Sequence, residues 1–392
     1  MNVISRRSHL GHYEVDNKIY SSKILATQNC KKGEWPRWVF NHDVFSKFNW
    51  KQEPTEDLYE LYKQRAWQLR QQYDKLILFY SGGIDSSVVL KTFVENKIPL
   101  DLIVSYGSFN FNYWKTLQRN QEIDRVAIPE IKKILNYYKL DTPYVLIDDW
   151  HLFDNFKDES WIFNASPSSF RPETYVFNFY HTHPEIQKMM SKGKTAIIRG
   201  MDKPKLLCEE QENGNKWSLV FLDAQAGGAE ASGLSEKINS WYDVEYFYWA
   251  RNFPKILCKQ SHIIKNYFEQ KKDITLIRSL FSKGTWGDSK INYNNWIDPL
   301  IYGKYLNQEP GENRKYFSLG KWKVKNSGPK DFEFFIHGNE KAKTYWKKGM
   351  EYIVDNVDHF YMDGFDGHKR VDLKTFIEKG FTGIYSDPYY LN

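Results

Sequence analysis

Cysteine is scarce. Cys30, Cys208 and Cys258 are the only three, and no two lie close together. That excludes a disulfide framework and a zinc site built from paired thiols, and a reducing compartment is the natural setting. Long apolar runs are missing too. Nothing approaches membrane-spanning length, and Arg6-Arg7 is not followed by the apolar stretch of a signal peptide, so a cytoplasmic protein with no membrane partner is expected. Charge of one sign is weak: 55 Lys and Arg stand against 49 Asp and Glu, a balance of +6 spread along the chain. Such a surplus does not by itself support a nucleic-acid partner. The Walker pattern of a kinase or GTPase loop is also absent. Aromatic residues, by contrast, are plentiful, but they fill cores and stack on bases alike and decide nothing alone.

Against these absences one stretch stands out, Ser81-Gly82-Gly83-Ile84-Asp85-Ser86-Ser87. The apolar run Leu76-Ile77-Leu78-Phe79-Tyr80 before it reads as a buried strand. After it, Val89, Leu90, Phe93 and Val94 fit one face of a helix. The segment is therefore strand, glycine turn, helix start. Two glycines let the backbone approach a ligand, and the hydroxyls of Ser86 and Ser87 with the first-turn N–H groups are expected to face outward. Such a nest of donors at a helix N-terminus suits a phosphate. The competing reading is an ordinary loop with Asp85 or Ser86 as a helix cap.

Along the chain, residues 1–53 suggest one or two hairpin strands packed on the main body. A helix opens after Pro54, with Thr55 as its cap, and ends near Gln72. Its inner side carries Leu58, Leu61, Tyr62, Arg65, Ala66 and Leu69. Strands follow at 101–107, 144–148 and 195–199, with a helix over 120–138 that Pro129 interrupts or divides. Alternation of strand and helix predicts an α/β fold, a parallel sheet with helices on both faces. Such sheets bind ligands beyond the carboxyl ends of their strands, where Ser81 sits. A hairpin is expected from Lys205–Cys208 to Trp217–Leu222. An amphipathic helix follows Pro254, with Lys259, His262 and Lys265 on one face.

Gly200-Met201-Asp202-Lys203 leaves the fourth strand as a second candidate site. Asp202 could share Mg2+ with Asp85, and Lys203 could neutralise charge on a departing group; the alternative is a plain turn with Pro204 as its exit. Asp148-Asp149 reads either as an oxygen site for Mg2+ or as a cap. His181 and His183 read as solvated or helix-end histidines. Asp363–His368 hints at a calcium loop but lacks its spacing and closing Glu.

Ser81–Ser87 resembles the pyrophosphate loop of the N-type ATP pyrophosphatases. Gly200 and Asp202 partly match a second loop of the asparagine synthetase synthetase domain, whose usual acid Lys203 replaces. The resemblance implies a Rossmann-like (HUP-type) domain over 76–270, flanked by an N-terminal hairpin and helix extension (1–75) and a helical, loop-rich C-terminal one (271–392). It implies ATP and Mg2+ as cofactors. Ser81, Gly82, Gly83, Asp85, Ser86, Ser87 and Gly200 would lie on the phosphates, and Val104, Ser105 and Tyr106 would meet the adenine through their backbone. Asp85 and Asp202 would hold the metal. Asp85, Asp202, Lys203 and Lys265 would be catalytic, with Lys265 or Lys259 as the downstream basic residue facing the phosphates. The implied reaction adenylates a carboxylate or amide oxygen, releases pyrophosphate, and resolves the adenylate with ammonia or an amine. Position 2 is Asn2 and residues 1–75 are too short for the glutaminase domain of asparagine synthetase, so nitrogen must come from elsewhere, such as a separate glutaminase partner. Two alternatives stay open: a member of the same superfamily that modifies tRNA or a nucleobase, and a non-catalytic nucleotide-binding protein.

Overall fold

The protein is described as a computed structural model covering residues 11–31, 34–107, 123–148, 150–164, 177–200, 203–212, 214–223, 242–282, 292–312, 340–357 and 383–392. Asp149, Met201, Asp202 and Asp363–His368 lie outside these residues.

A small antiparallel sheet begins the chain, with β1 (His12–Val15) between β2 (Lys18–Tyr20) and β3 (Arg37–Val39). Next comes the Leu58–Gln72 helix. Its cap is Asp57, whose carboxylate accepts from the N–H groups of Tyr59 and Glu60, and not the expected Thr55. The inner face is the expected one, including the fully buried Arg65.

The centre is a five-stranded, all-parallel sheet. It contains β4 (Lys75–Phe79), β5 (Leu102–Gly107), β6 (Tyr144–Asp148), β7 (Thr195–Arg199) and β10 (Tyr242–Tyr246), in the spatial order β10-β7-β4-β5-β6. Four of these strands match the apolar runs in the sequence. The fold class is thus α/β and Rossmann-like, as expected. The Ile84–Glu95 helix joins β4 to β5, and the Pro184–Met190 helix leads into β7. The two crossovers run in opposite directions across the sheet, from β4 outward to β5 and from the edge strand β6 back past β4 to β7. Right-handed crossovers in opposite directions place helices on opposite faces of such a sheet. Pro129 does divide the next helix: a wide turn over Ile123–Ala127 passes into the α-helix Ile128–Tyr138, with the proline in its first turn, where its missing N–H costs nothing.

The edge strand β10 was not foreseen, because Asp243 and Glu245 interrupt its apolar pattern. Both carboxylates have partners at the sheet edge. The Tyr73 hydroxyl reaches Asp243 at 2.9 Å and Glu245 at 2.6 Å, and the Arg65 guanidinium donates to Glu245 at 2.6 Å.

The expected hairpin forms from β8 (Lys205–Gln211) and β9 (Gly214–Val220), and the C-terminal β11 (Tyr389–Tyr390) adds to it alongside β9. Asp223 ties this layer to the N-terminal sheet. Its carboxylate accepts from the Tyr13 hydroxyl at 2.9 Å and the Ile384 N–H at 2.9 Å, and meets the Lys23 ammonium at 2.8 Å. Burial lowers the Lys23 pKa despite this partner and raises that of Tyr13 well above the usual phenol. Rings of Phe40, Phe45, Phe221, Trp249 and Tyr389 pack around the same junction, which accounts for part of the aromatic richness. Helices Ile274–Phe281, Tyr293–Tyr302 and Glu340–Asn356 make up most of the described C-terminal third. Among the described residues no helix is long and apolar enough to cross a membrane.

Candidate functional site

At the carboxyl end of β4 the chain is pinned to its neighbour before it turns. The Tyr80 N–H donates to the Val104 carbonyl at 2.8 Å, and the Ser105 hydroxyl donates to the Tyr80 carbonyl at 2.5 Å. Gly82 then takes φ +82, where a side chain would be strained and its Cβ would meet the backbone of Ala127 at 2.9 Å. Gly83 is the N-cap of the Ile84–Glu95 helix and carries no side chain to cap it. Helix geometry leaves the first-turn N–H groups of Ile84, Asp85 and Ser86 without intrahelical acceptors, at the positive end of the helix dipole.

The two serine hydroxyls do not face outward as expected. Ser86 is buried and its hydroxyl donates to the Gly83 carbonyl at 3.1 Å, with the Ser81 hydroxyl 3.2 Å away. Ser81 in turn accepts from the Gly83 N–H at 3.2 Å. Ser87 points beneath the loop, with its Oγ 3.1 Å from the Tyr80 hydroxyl and 3.3 Å from the Glu130 carboxylate, while its N–H closes onto Gly83. Tyr80 donates to the same Glu130 carboxylate at 2.7 Å. Ser87 therefore braces the loop from below. The serines keep the turn in shape, and the backbone N–H groups are left to take an anion.

The second candidate loop is brought to the first. Going outward from β4, the order runs β5-β6 on one side and β7-β10 on the other, so the gap between β4 and β7 is where the direction of winding reverses. Ligands of open parallel sheets bind at that reversal. Gly200 follows β7 there, and a Cβ on it would lie 2.9 Å from the Ser86 Cα and 3.1 Å from the Asp85 carbonyl. Lys203, only 3% exposed, places its ammonium 2.9 Å from both carboxylate oxygens of Asp85. The Tyr248 hydroxyl donates to the Asp85 carbonyl at 2.8 Å. Burial, then the neighbouring Tyr62 and Asp85, raise the Tyr248 pKa well above the usual value, so it serves as a donor and not as a base. A further carboxylate, Asp298, lies 3.4 Å from Lys203. Asp202 falls outside the described residues.

At the end of β5 the three residues expected to meet the adenine through their backbone differ in side-chain burial. Val104 and Ser105 are fully buried, and Tyr106 is the partly exposed member. Its ring lies 4.7 Å from that of Tyr180, and the Arg199 guanidinium stands 4.6 Å over the Phe79 ring, donating to the Tyr106 hydroxyl at 3.4 Å. Tyr180 and Arg199 were not singled out from the sequence. Arg199 carried a signal, as a charged residue ending an otherwise apolar strand; Tyr180 carried none.

Lys265 has its ion pair elsewhere than on the loop. Its ammonium pairs with Glu269 on its own helix at 2.9 Å. The rest of that face docks on the segment before the first long helix: Lys259 meets Glu53 at 2.7 Å, and the His262 ring bonds to the Trp50 carbonyl at 2.9 Å. His183 caps the Pro184–Met190 helix by accepting from the Glu185 N–H, a helix-end histidine as expected.

No thiol is poised for chemistry. Burial pushes Cys30 up to about 11 and Cys208 and Cys258 up to about 12. A cleft of about 790 Å3 opens between the N-terminal sheet and the outer edge of β10, away from the loop. Its charged groups are already committed, Arg37 to Glu14 and Asp387, and Arg251 to Asp43. Among the described residues no three His, Cys, Asp or Glu side chains gather as a metal cage. Mg2+ commonly needs only one or two carboxylates together with substrate phosphates and water, and Asp85 beside the uncapped helix start fits that demand. Neither the models of known protein families nor the curated proteins include a match to this chain.

Proposed function

We propose that this protein is an ATP-dependent, AMP- and pyrophosphate-forming ligase, similar to the N-type ATP pyrophosphatases and nearest to the synthetase domain of asparagine synthetase. One observation carries the reading: the Ser81–Ser87 loop, with its uncapped helix start, meets Gly200 and Lys203 at the winding reversal of the parallel sheet. Phosphate affinity alone would fit many enzymes. A glycine loop of this spacing with Asp85 in the first turn and no Walker lysine favours cleavage between the α- and β-phosphates.

In this mechanism the backbone N–H groups of Gly82, Ile84, Asp85 and Ser86 hold the β- and γ-phosphates. The purine lies against Tyr106 at the end of β5, with Tyr180 behind it. Asp85, with Asp202, would hold Mg2+, which when bound neutralises phosphate oxygens. An oxygen of the acceptor carboxylate or amide attacks the α-phosphorus. The bond from the α-phosphorus to the bridging oxygen breaks, and its electron pair leaves with pyrophosphate. Lys203 turns from Asp85 towards that charge. Ammonia or an amine then attacks the activated carbon, AMP departs with its electron pair, and the nitrogen loses a proton. Positioning and charge stabilisation supply the acceleration, without a protein nucleophile.

The test is incubation with ATP, Mg2+ and a metabolite extract, followed by mass spectrometry. AMP, pyrophosphate and a new amide are expected. ADP and phosphate in their place contradict the reading. AMP formation that depends on added tRNA, with salt-sensitive binding, would move the assignment to the nucleic-acid-modifying branch.

A further inference from the structure

Among the described residues Lys203 faces two carboxylates, and they differ in kind. Asp85 sits on the loop, its side chain about one quarter exposed at 24%; Asp298 is 3% exposed and belongs to the Tyr293–Tyr302 helix. That helix is fixed against the exit of β7 by the Tyr293 hydroxyl, which donates to the Pro204 carbonyl at 2.8 Å. Ile297, Ile301 and Tyr302 bury the turns around Asp298.

If Asp85 engages a nucleotide-bound cation, Lys203 loses its nearer partner. A buried ammonium left without a counter-charge is strongly unfavourable. We propose that Asp298 is a positioning residue that keeps the Lys203 ammonium in the site when Asp85 turns to the cation. This rests on the ATP and Mg2+ reading for the event that diverts Asp85, but the pairing itself can be measured without nucleotide.

The experiment is a double-mutant cycle on the unfolding equilibrium, using Lys203→Gln and Asp298→Asn, run in the wild-type and the Asp85→Asn backgrounds. Asp85→Asn imitates the diversion of Asp85. The coupling between Lys203 and Asp298 is expected to increase about tenfold in the equilibrium constant in that background. Unchanged or weaker coupling overturns the proposal. If Asp298→Asn alone does not fold, the double variant decides. Folding of Lys203→Gln, Asp298→Asn supports the pair, and its failure shows that Asp298 serves the helix itself and overturns the proposal. A parallel titration with Mg2+ and α,β-methylene ATP keeps the two readings apart. Absence of binding by the wild type counts against the ATP reading, while the coupling result stands on its own.

Discussion

The Lys203 ammonium lies 2.9 Å from each carboxylate oxygen of Asp85, joining two loops that are 118 residues apart in the chain. One of these loops offers uncapped backbone donors and the other a buried cation. An anion entering between them would meet both. Lys203→Met should therefore lower the rate of pyrophosphate formation by about 10²–10³-fold, the size seen when one preorganised charge-stabilising donor is removed. The KM for ATP should change much less, and steady-state kinetics separates the two effects.

Gly200→Ala tests the close approach of the loops. Its new Cβ would lie 2.9 Å from the Ser86 Cα, a backbone atom with no flexible end to yield. One loop must move, at a cost of about 1–3 kcal/mol in stability. Calorimetry should also show at least about a tenfold loss of nucleotide affinity. Unchanged affinity would mean that the contact does not shape the site.

Ser87→Ala separates bracing from binding. The hydroxyl it removes meets Tyr80 and Glu130, and those two remain bonded to each other at 2.7 Å. Stability should fall by about 1 kcal/mol, the ordinary worth of a hydrogen bond, with nucleotide affinity retained. Denaturant unfolding and calorimetry on the same variant check both parts.

A pH dependence follows from Asp101. Burial opposes its charge, but hydrogen bonds from Lys75, Arg70 and the Leu76 N–H prevail and lower its pKa. A carboxyl with a folded-state pKa below its unfolded one adds stability above the unfolded value and loses it as pH falls towards the folded value. Asp101→Asn should therefore be about 1–3 kcal/mol less stable than the wild type at neutral pH. The gap should close as pH drops through and below the ordinary aspartate range. Urea unfolding across that range measures it.

How much of this was legible in the sequence depended on whether a residue's role was local. The runs at 76–80, 101–107 and 195–199 are apolar because both faces of a parallel sheet are covered, and they announce themselves; the run at 144–148 forms an edge strand that is only partly buried, with Leu146 exposed. Asp57 in place of Thr55 as a cap was a choice between two suitable side chains two positions apart. The strand Tyr242–Tyr246 was missed because the partners of its carboxylates, Tyr73 and Arg65, are distant in the chain. The Ser81–Ser87 loop was legible, but not that Ser87 turns inward, since that depends on Glu130. Asp298 carried one faint signal, an aspartate within the apolar run Trp296–Ile301, and its meaning needed Lys203 beside it.

The central claim is that the Ser81–Ser87 loop directs cleavage between the α- and β-phosphates of ATP. ATP–pyrophosphate exchange, measured with the acceptor found in the extract experiment, tests it most directly. Label from pyrophosphate should enter ATP with the wild-type protein and fall to background with Asp85→Ala. Exchange that survives at the wild-type rate in Asp85→Ala would contradict the account.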